Sequence, residues 1–286
     1  MFPIRDARRL APTLTRLVVF APLVARKWRA GQFVILRVAE AGERIPLTVV
    51  EADPAGGLIT LVVQAVGKTT RQLCALQTGD AVRDLLGPLG NASPIEAGQV
   101  TACVGGGVGT ALVYPIARAL KAAGNTVHAL IGARSDSLLI LDQEMAECCD
   151  SLVVTTDDGS RGRKAMVVEP LRELLGRSRL DAVYTSGPLP MMRAVAETTR
   201  PFRVKTYASL NPIMLDGTGM CGGCRVTVAG VPRFACVDGP EFDAHAVDFE
   251  ELVRRNATYT DLERAADERF RHSLEHEGGH AQLQPA

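Results

Sequence analysis

Between residues 98 and 205 the chain alternates strand-like and helix-like runs. That alternation restricts it to a parallel sheet flanked by helices. QVTACV leads into TALVYPIARALKAAG, closed by Gly124. TVHALIGA is followed by LLILDQEMAECC, SLVVTT by AMVVEPLRELLG, and DAVYTSG by PMMRAVAETT. Residues 1–97 carry the other period. Short apolar or alternating runs at 14–20, 32–38, 47–51, 57–65 and 81–86 are separated by turns such as DPAGG and TGD, which predicts a small antiparallel barrel. From about residue 206 a glycine-rich segment begins and runs to about 249. A charged helix is expected over 249–270, and the final HSLEHEGGHAQLQPA reads as a disordered tail. The expected organisation is therefore β plus α/β: a barrel over 1–97, an α/β domain over 98–205, a small segment over 206–249, and a helix with tail over 250–286.

The segment 206–249 holds the most specific chemistry. Within NPIMLDGTGMCGGCRVTVAGVPRFAC, Cys221 and Cys224 form a C-x2-C turn and Cys236 follows after eleven residues. The runs 225–228 and 231–235 predict a hairpin turning at Ala229–Gly230, which returns Cys236 to Cys224. Glycines at 217, 219, 222 and 223 let backbone N–H groups approach sulfide and thiolate anions. Three thiolates leave one ligand to find, and Asp216 stands on the same loop. Two readings are open: an iron–sulfur cluster with Asp216 as the unusual fourth ligand, or a zinc knuckle completed by Asp216 or His245.

Glycine-rich turns mark the ends of the α/β strands. Gly105-Gly106-Gly107-Val108-Gly109-Thr110 lies between a strand and an amphipathic helix, where a pyrophosphate can rest on free N–H groups. Thr110 takes the place of the last glycine of G-x-G-x-x-G, which predicts looser helix–strand packing. Asp157-Asp158-Gly159 and Gly187-Pro188, with Met191 opening the next helix, fall at later strand ends. Each aspartate could meet a ribose or simply cap its turn. Arg134, after the second strand, would instead favour a 2′-phosphate. In the β region, Arg44, Pro46, Leu47 and Thr48 place a cation and a hydroxyl on one strand edge. Gly67, Lys68, Thr69 and Thr70 form a turn opening a helix. Together these suit a flavin, an Arg for its pyrophosphate and a Thr near the ring; the plainer reading is an edge strand.

Composition excludes other classes. Lys plus Arg equal Asp plus Glu at 32 each, so no electrostatic argument for nucleic acid or an anionic membrane arises. MFPIRDARRL lacks the apolar core of a secretory signal, and the apolar stretch 17–25 is short and broken by Pro22. A reduced, cytoplasmic protein is expected.

The motifs RIPLTV, GKTT, GGGVGTA, TDDGS, SGPLPMM and DGTGMCGGC, in this order, resemble the small subunits of NADH-dependent reduced ferredoxin:NADP oxidoreductases. These belong with the dihydroorotate dehydrogenase B electron-transfer subunits in the ferredoxin–NADP reductase superfamily. The resemblance covers about residues 1–250. It implies FAD, NAD(H) and a [2Fe–2S] cluster held by Asp216, Cys221, Cys224 and Cys236. It also implies a larger partner subunit with flavin and [4Fe–4S] clusters that binds NADP(H) and meets ferredoxin. Dihydroorotate-linked relatives carry Cys at the position of Asp216. Rival readings are a subunit of a dihydroorotate or sulfide dehydrogenase, and a zinc-stabilised nucleotide-binding module.

Overall fold

A computed structural model describes residues 1–276, in three sheets. The first region contains β1 (Phe2–Ala11), β2 (Leu14–Phe20), α1 (Pro22–Lys27), β3 (Phe33–Arg37), β4 (Arg44–Asp53), β5 (Leu58–Gln64), α2 (Lys68–Ala75), β6 (Ala81–Val82) and β7 (Asp84–Leu89). Its strands pair antiparallel in the order β6-β1-β2-β5-β4-β3-β7. The edge strands β6 and β7 are separated in sequence by Arg83 alone, whose N–H reaches back to the Arg37 carbonyl. The sheet therefore curls into a nearly closed barrel, as the short-strand pattern predicted. Its interior is apolar: Ile4, Leu17, Val19, Val34, Leu36, Val49, Ile59, Leu61 and Val63 are buried, and α2 contributes Leu73.

β1 and α1 are absent from the strand-like runs read in the sequence. Register shifts between Ile4 and Asp6 and between Arg9 and Ala11 interrupt the alternation of β1. A bulge places two residues against one, so a period-2 pattern does not survive it.

The second region contains β8 (Val100–Gly106), α3 (Gly109–Ala122), β9 (Thr126–Ala133), α4 (Asp142–Cys148), β10 (Ser151–Thr156), β11 (Arg163–Lys164), α5 (Val168–Arg177), β12 (Ala182–Ser186), α6 (Leu189–Thr199) and β13 (Lys205–Ser209). Parallel pairing gives the order β11-β10-β9-β8-β12-β13. The order reverses between β8 and β12, so a crevice opens beyond their carboxyl ends. The run LLILDQEMAECC is helical only from Asp142 to Cys148; Leu141 adopts φ 57°, which separates a 3-10 turn at Asp136–Leu138 from α4.

The remaining chain contains β14 (Arg225–Val228), β15 (Val231–Phe234), β16 (Glu241–Asp243), α7 (Phe249–Asn256) and α8 (Thr260–His276). β16 joins the large sheet antiparallel to β13. Where the sequence predicts one helix over 249–270, there are two. Phe249 and Leu252 anchor α7 in the apolar junction, whereas α8 returns to the barrel, where Asp267 meets Arg71 of α2 at 2.7 Å. Two docking surfaces require a change of direction at 257–259. The residues His272–His276, read as tail, are helical; the rest of that expected tail lies outside the described residues.

One buried cluster ties the three regions together. Phe33 and Ile35 come from the barrel, Met192 and Ala208 from the α/β region, and Met214, Cys224, Val226 and Cys236 from the small segment. At about 1.5–3 kcal/mol per buried large side chain, this junction fixes their relative placement.

Candidate functional site

A cleft of about 500 Å3 opens at the switch point between β8 and β12. Gly106, Gly107 and Gly109 form one wall, Gly187, Pro188 and Met191 the facing one, and Arg134 and Asp157 the far end. The glycines are there for want of space. A Cβ on Gly106 would strike the Met191 sulfur, and one on Gly109 would strike the Ser186 carbonyl. Gly107 has φ 55°, and its N–H donates to Gly132 at 2.8 Å. The looser helix–strand packing expected from Thr110 is not found. Thr110 is buried, and a Cβ on Gly105 would stand 2.8 Å from its Cα, so Gly105 supplies the close approach that the missing last glycine would give.

The two aspartates divide their roles. Asp158 accepts from the Ser160 N–H at 2.9 Å and its hydroxyl at 2.6 Å, and these bonds hold its carboxyl below the usual carboxylate range. It caps the turn containing Gly159, and neither residue lines the cleft. Asp157 does line it, beside Arg134. Met192 is fully buried, leaving Met191 to the cleft.

Several lining residues were not singled out in the sequence. Leu14 and Gln64 bring the barrel to the cleft, and Ser209 and Asn211 bring the start of the small segment. Asn211 opens the cysteine segment and Leu14 and Gln64 lie in barrel runs, but nothing local marks any of the four as lining a cleft; the fold places them there.

The barrel motifs meet on one rim. Arg44, Pro46, Leu47 and Thr48 pair with β3, but the pairing of β4 with β5 begins only at Val49. One backbone edge of this stretch is therefore free of a strand, and Pro46, which lacks an N–H, is accommodated. Arg44 is exposed. Its neighbour Glu43 accepts the Thr69 hydroxyl at 2.6 Å, which joins this rim to the start of α2. Gly67 precedes Lys68, the first residue of α2, in extended conformation, and Thr70 Oγ1 accepts the N–H groups of Val66 and Gly67 at 3.0 Å each. The hydroxyls of Thr69 and Thr70 thus shape the turn into α2, whose first N–H groups have no acceptor within the helix itself.

In the small segment, β14 and β15 form the expected hairpin, with Ala229 at φ 52° and Gly230 at φ 76°. Positive φ at both positions matches the twist of the paired strands. The hairpin returns Cys236, whose N–H donates to Cys224 Sγ at 3.4 Å; both residues are buried. Cys221 is exposed, and its sulfur accepts the Gly223 N–H at 3.4 Å. Asp216 accepts from the N–H groups of Thr218 at 2.9 Å and Cys221 at 2.8 Å. The Thr218 bond is the larger cause holding its carboxyl below the usual range. Among the described residues no three His, Cys, Asp or Glu side chains gather as for a single metal ion. His245 lies elsewhere, with Nε2 2.9 Å from Thr199 Oγ1.

Three cysteines and a carboxylate on and beside one glycine-rich loop are a donor set that fits an iron–sulfur cluster. Two sulfurs already receive backbone N–H groups. Burial pushes the Cys236 thiol up to about 12, so a nearby cation is what would hold it as thiolate.

Comparison with known proteins bears on these features. Residues 211–248 match the iron–sulfur cluster binding domain of dihydroorotate dehydrogenase B. The chain is 48% identical over 252 residues to a homolog of the dihydroorotate dehydrogenase B (NAD(+)) electron transfer subunit from Thermotoga maritima, covering 88% of this chain and 89% of that one. This chain belongs to that family. A member from Bacillus caldolyticus, named as the electron transfer subunit itself, is 34% identical over 256 residues, with 85% and 96% covered. A chain in the solved structure of the NADH-dependent reduced ferredoxin–NADP oxidoreductase, described for flavin-based electron bifurcation, is 46% identical. It superposes with a TM-score of 0.90, over 94% of this chain and 98% of that one. The protein is an electron-transfer subunit of an oxidoreductase with the ferredoxin–NADP reductase fold, and a larger partner subunit belongs to such complexes. No described helix is long and apolar enough to cross a membrane.

Proposed function

We propose that this subunit carries FAD on the barrel rim and a [2Fe–2S] cluster on the cysteine loop, exchanges hydride with NAD(H), and passes single electrons to or from its partner. The observation that carries this reading is the shared cleft. It is lined by the nucleotide loops, by Leu14 and Gln64 of the barrel, and by Ser209 and Asn211, where the cluster-binding domain begins. Bound FAD supplies the conversion between two-electron hydride chemistry and one-electron cluster chemistry.

The chain's own residues do the positioning. Gly105, Gly106, Gly107, Gly109 and the buried Thr110 hold the pyrophosphate turn close to α3. Gly187, Pro188 and Met191 face it, Asp157 meets the adenosine ribose, and Asp158 and Gly159 shape that loop. Arg44 neutralises the flavin diphosphate, with Lys68 and the N–H groups opening α2. Pro46, Leu47 and Thr48 present the free strand edge to the flavin ring. Asp216, Cys221, Cys224 and Cys236 hold the cluster.

The partner is a larger flavin and [4Fe–4S] subunit that binds NADP(H) and meets ferredoxin, a reading supported by the likeness to the NADH-dependent reduced ferredoxin–NADP oxidoreductase. Cys221 is exposed at the tip of the loop beside Met220, which is 86% exposed, and an apolar side chain left in water there suits a subunit contact. A partner that oxidises dihydroorotate is the second reading, favoured by the Bacillus caldolyticus relative.

Cofactor choice tests the cleft. A 2′-phosphate beside Asp157 meets like charge, whereas Arg134 would attract it; with the Asp157 carboxylate lining the cleft, NADH is expected to reduce the flavin at least tenfold faster than NADPH, about 1.4 kcal/mol of discrimination. Stopped-flow reduction by each nucleotide measures it, and a preference for NADPH overturns the assignment of Asp157.

A further inference from the structure

β16 and the linker from barrel to α/β sheet meet along a seam outside the cleft. The chain runs from Cys236 through residues 237–240 into Glu241, and each step is stitched down. The Asn91 side-chain amide donates to the Val237 carbonyl at 3.1 Å, the Asn91 N–H to the Gly239 carbonyl at 2.6 Å, and the Leu210 N–H to the Pro240 carbonyl at 2.9 Å. At the end of the seam Ser93 Oγ donates to Glu241 Oε1 at 2.8 Å. The other carboxylate oxygen, Oε2, has neither solvent nor a hydrogen-bond partner. An unpartnered carboxylate oxygen shut away from water costs about 1–3 kcal/mol or more, so its retention calls for an explanation.

Among the described residues Glu241 forms no ion pair, and only burial and the Ser93 bond move its carboxyl. Tyr184 from β12, Tyr207 from β13 and Cys103 from β8 face Glu241, and burial pushes all three up, leaving them neutral at physiological pH. On the outer side Lys205 is paired with Glu96 at 3.2 Å, and Asp243 lies two residues along β16. Protonation removes the cost of isolating the charge, and burial pushes the Glu241 carboxyl up to about 7, against which the Ser93 bond acts weakly.

We propose that Glu241 is a proton-accepting group coupled to the charge on the cysteine loop, taking up a proton from solvent when an electron arrives at the cluster and releasing it when the electron leaves. This rests on the reading of that loop as the cluster site. The charge balance is simple: one electron adds one negative charge to the loop, and one proton on Glu241 removes one from the seam. The stitched backbone between Cys236 and Glu241 keeps their separation fixed, so the added charge is felt as field instead of being relaxed by movement. Glu241 acts through this field and is a positioning residue for charge; it touches no ligand of the loop in the structure.

The sign follows. An added negative charge raises the affinity of Glu241 for its proton, so the reduced protein holds that proton to a higher pH than the oxidised one. Below about pH 7 the group is protonated in both forms and the potential is independent of pH. Above it, up to the higher pH at which the reduced form also loses the proton, reduction takes up a proton and the midpoint potential falls as pH rises.

The test is an EPR-monitored reduction titration of the full chain, between about pH 5.5 and about pH 8.5, with iron assayed in each sample. The wild-type potential is expected to fall across the upper half of that range, and Glu241→Gln, an uncharged isostere, to be flat at unchanged iron content. Ser93→Ala loses the bond that favours the carboxylate, so the onset of the fall is expected to move to higher pH. A flat wild type, or the same slope in wild type and Glu241→Gln, overturns the proposal and leaves the cluster reading standing. A wild-type chain without iron overturns both.

Discussion

Cys236→Ser is expected to reduce bound iron from about two atoms per chain to almost none, while FAD stays bound. Cys236 is buried at the root of the hairpin, so no other side chain can take its place, and serine is a poor ligand for iron at neutral pH. Asp216→Ala is expected to act in the same direction for two reasons: it removes the proposed fourth ligand, and it releases the N–H groups of Thr218 and Cys221 that the carboxylate gathers. Asp216→Cys should restore most of the iron, because it supplies a thiolate, and it should change the EPR spectrum because ligand type sets the electronic structure at iron. Iron analysis with EPR of the reduced protein measures all three. Full iron and an unaltered signal in Asp216→Ala would reduce Asp216 to a cap of its own loop.

Gly109→Ala is expected to do comparable damage to the nucleotide side. The new methyl group would collide with the Ser186 carbonyl and crowd the Gly187 N–H, both backbone, so the two walls of the cleft must part. Overpacking typically costs about 1–3 kcal/mol, and if the cleft bears it, NADH affinity falls by about 5- to 150-fold. FAD and iron content should remain at wild-type levels, since the barrel rim and cysteine loop lie on other elements. Titration of the flavin absorbance with NADH reads the affinity. Unchanged binding would mean that the pyrophosphate does not rest on this turn.

What the sequence disclosed and what it concealed have physical reasons. The strands β8, β9, β10 and β12 were legible because buried parallel strands read as apolar runs and each is followed by a helix of different period. The hairpin of β14 and β15 was legible from its turn. β1 was not, because two bulges break its alternation. α4 was overextended because Leu139 and Leu141 pack against the core without being helical, which hydrophobicity alone cannot distinguish. The glycines of the cleft stood out as a run, and their necessity is steric; Ser209 did not, and Asn211 stood out only as the start of the cysteine segment, since only the return of β13 brings both to the cleft. Thr110 misled because the close approach it lacks is supplied by Gly105. Glu241 carries no local signature at all: a lone carboxylate becomes unusual only when tertiary packing closes over it.

Rapid mixing of the purified chain with NADH, followed by freeze-quenched EPR and absorbance, shows whether one chain carries electrons from a nicotinamide to a cluster. The expected result is bleaching of the flavin band and then, in the same chain without its partner, the signal of a reduced [2Fe–2S] centre. A flavin that bleaches while an intact cluster stays oxidised, or a chain that binds neither cofactor, would contradict it.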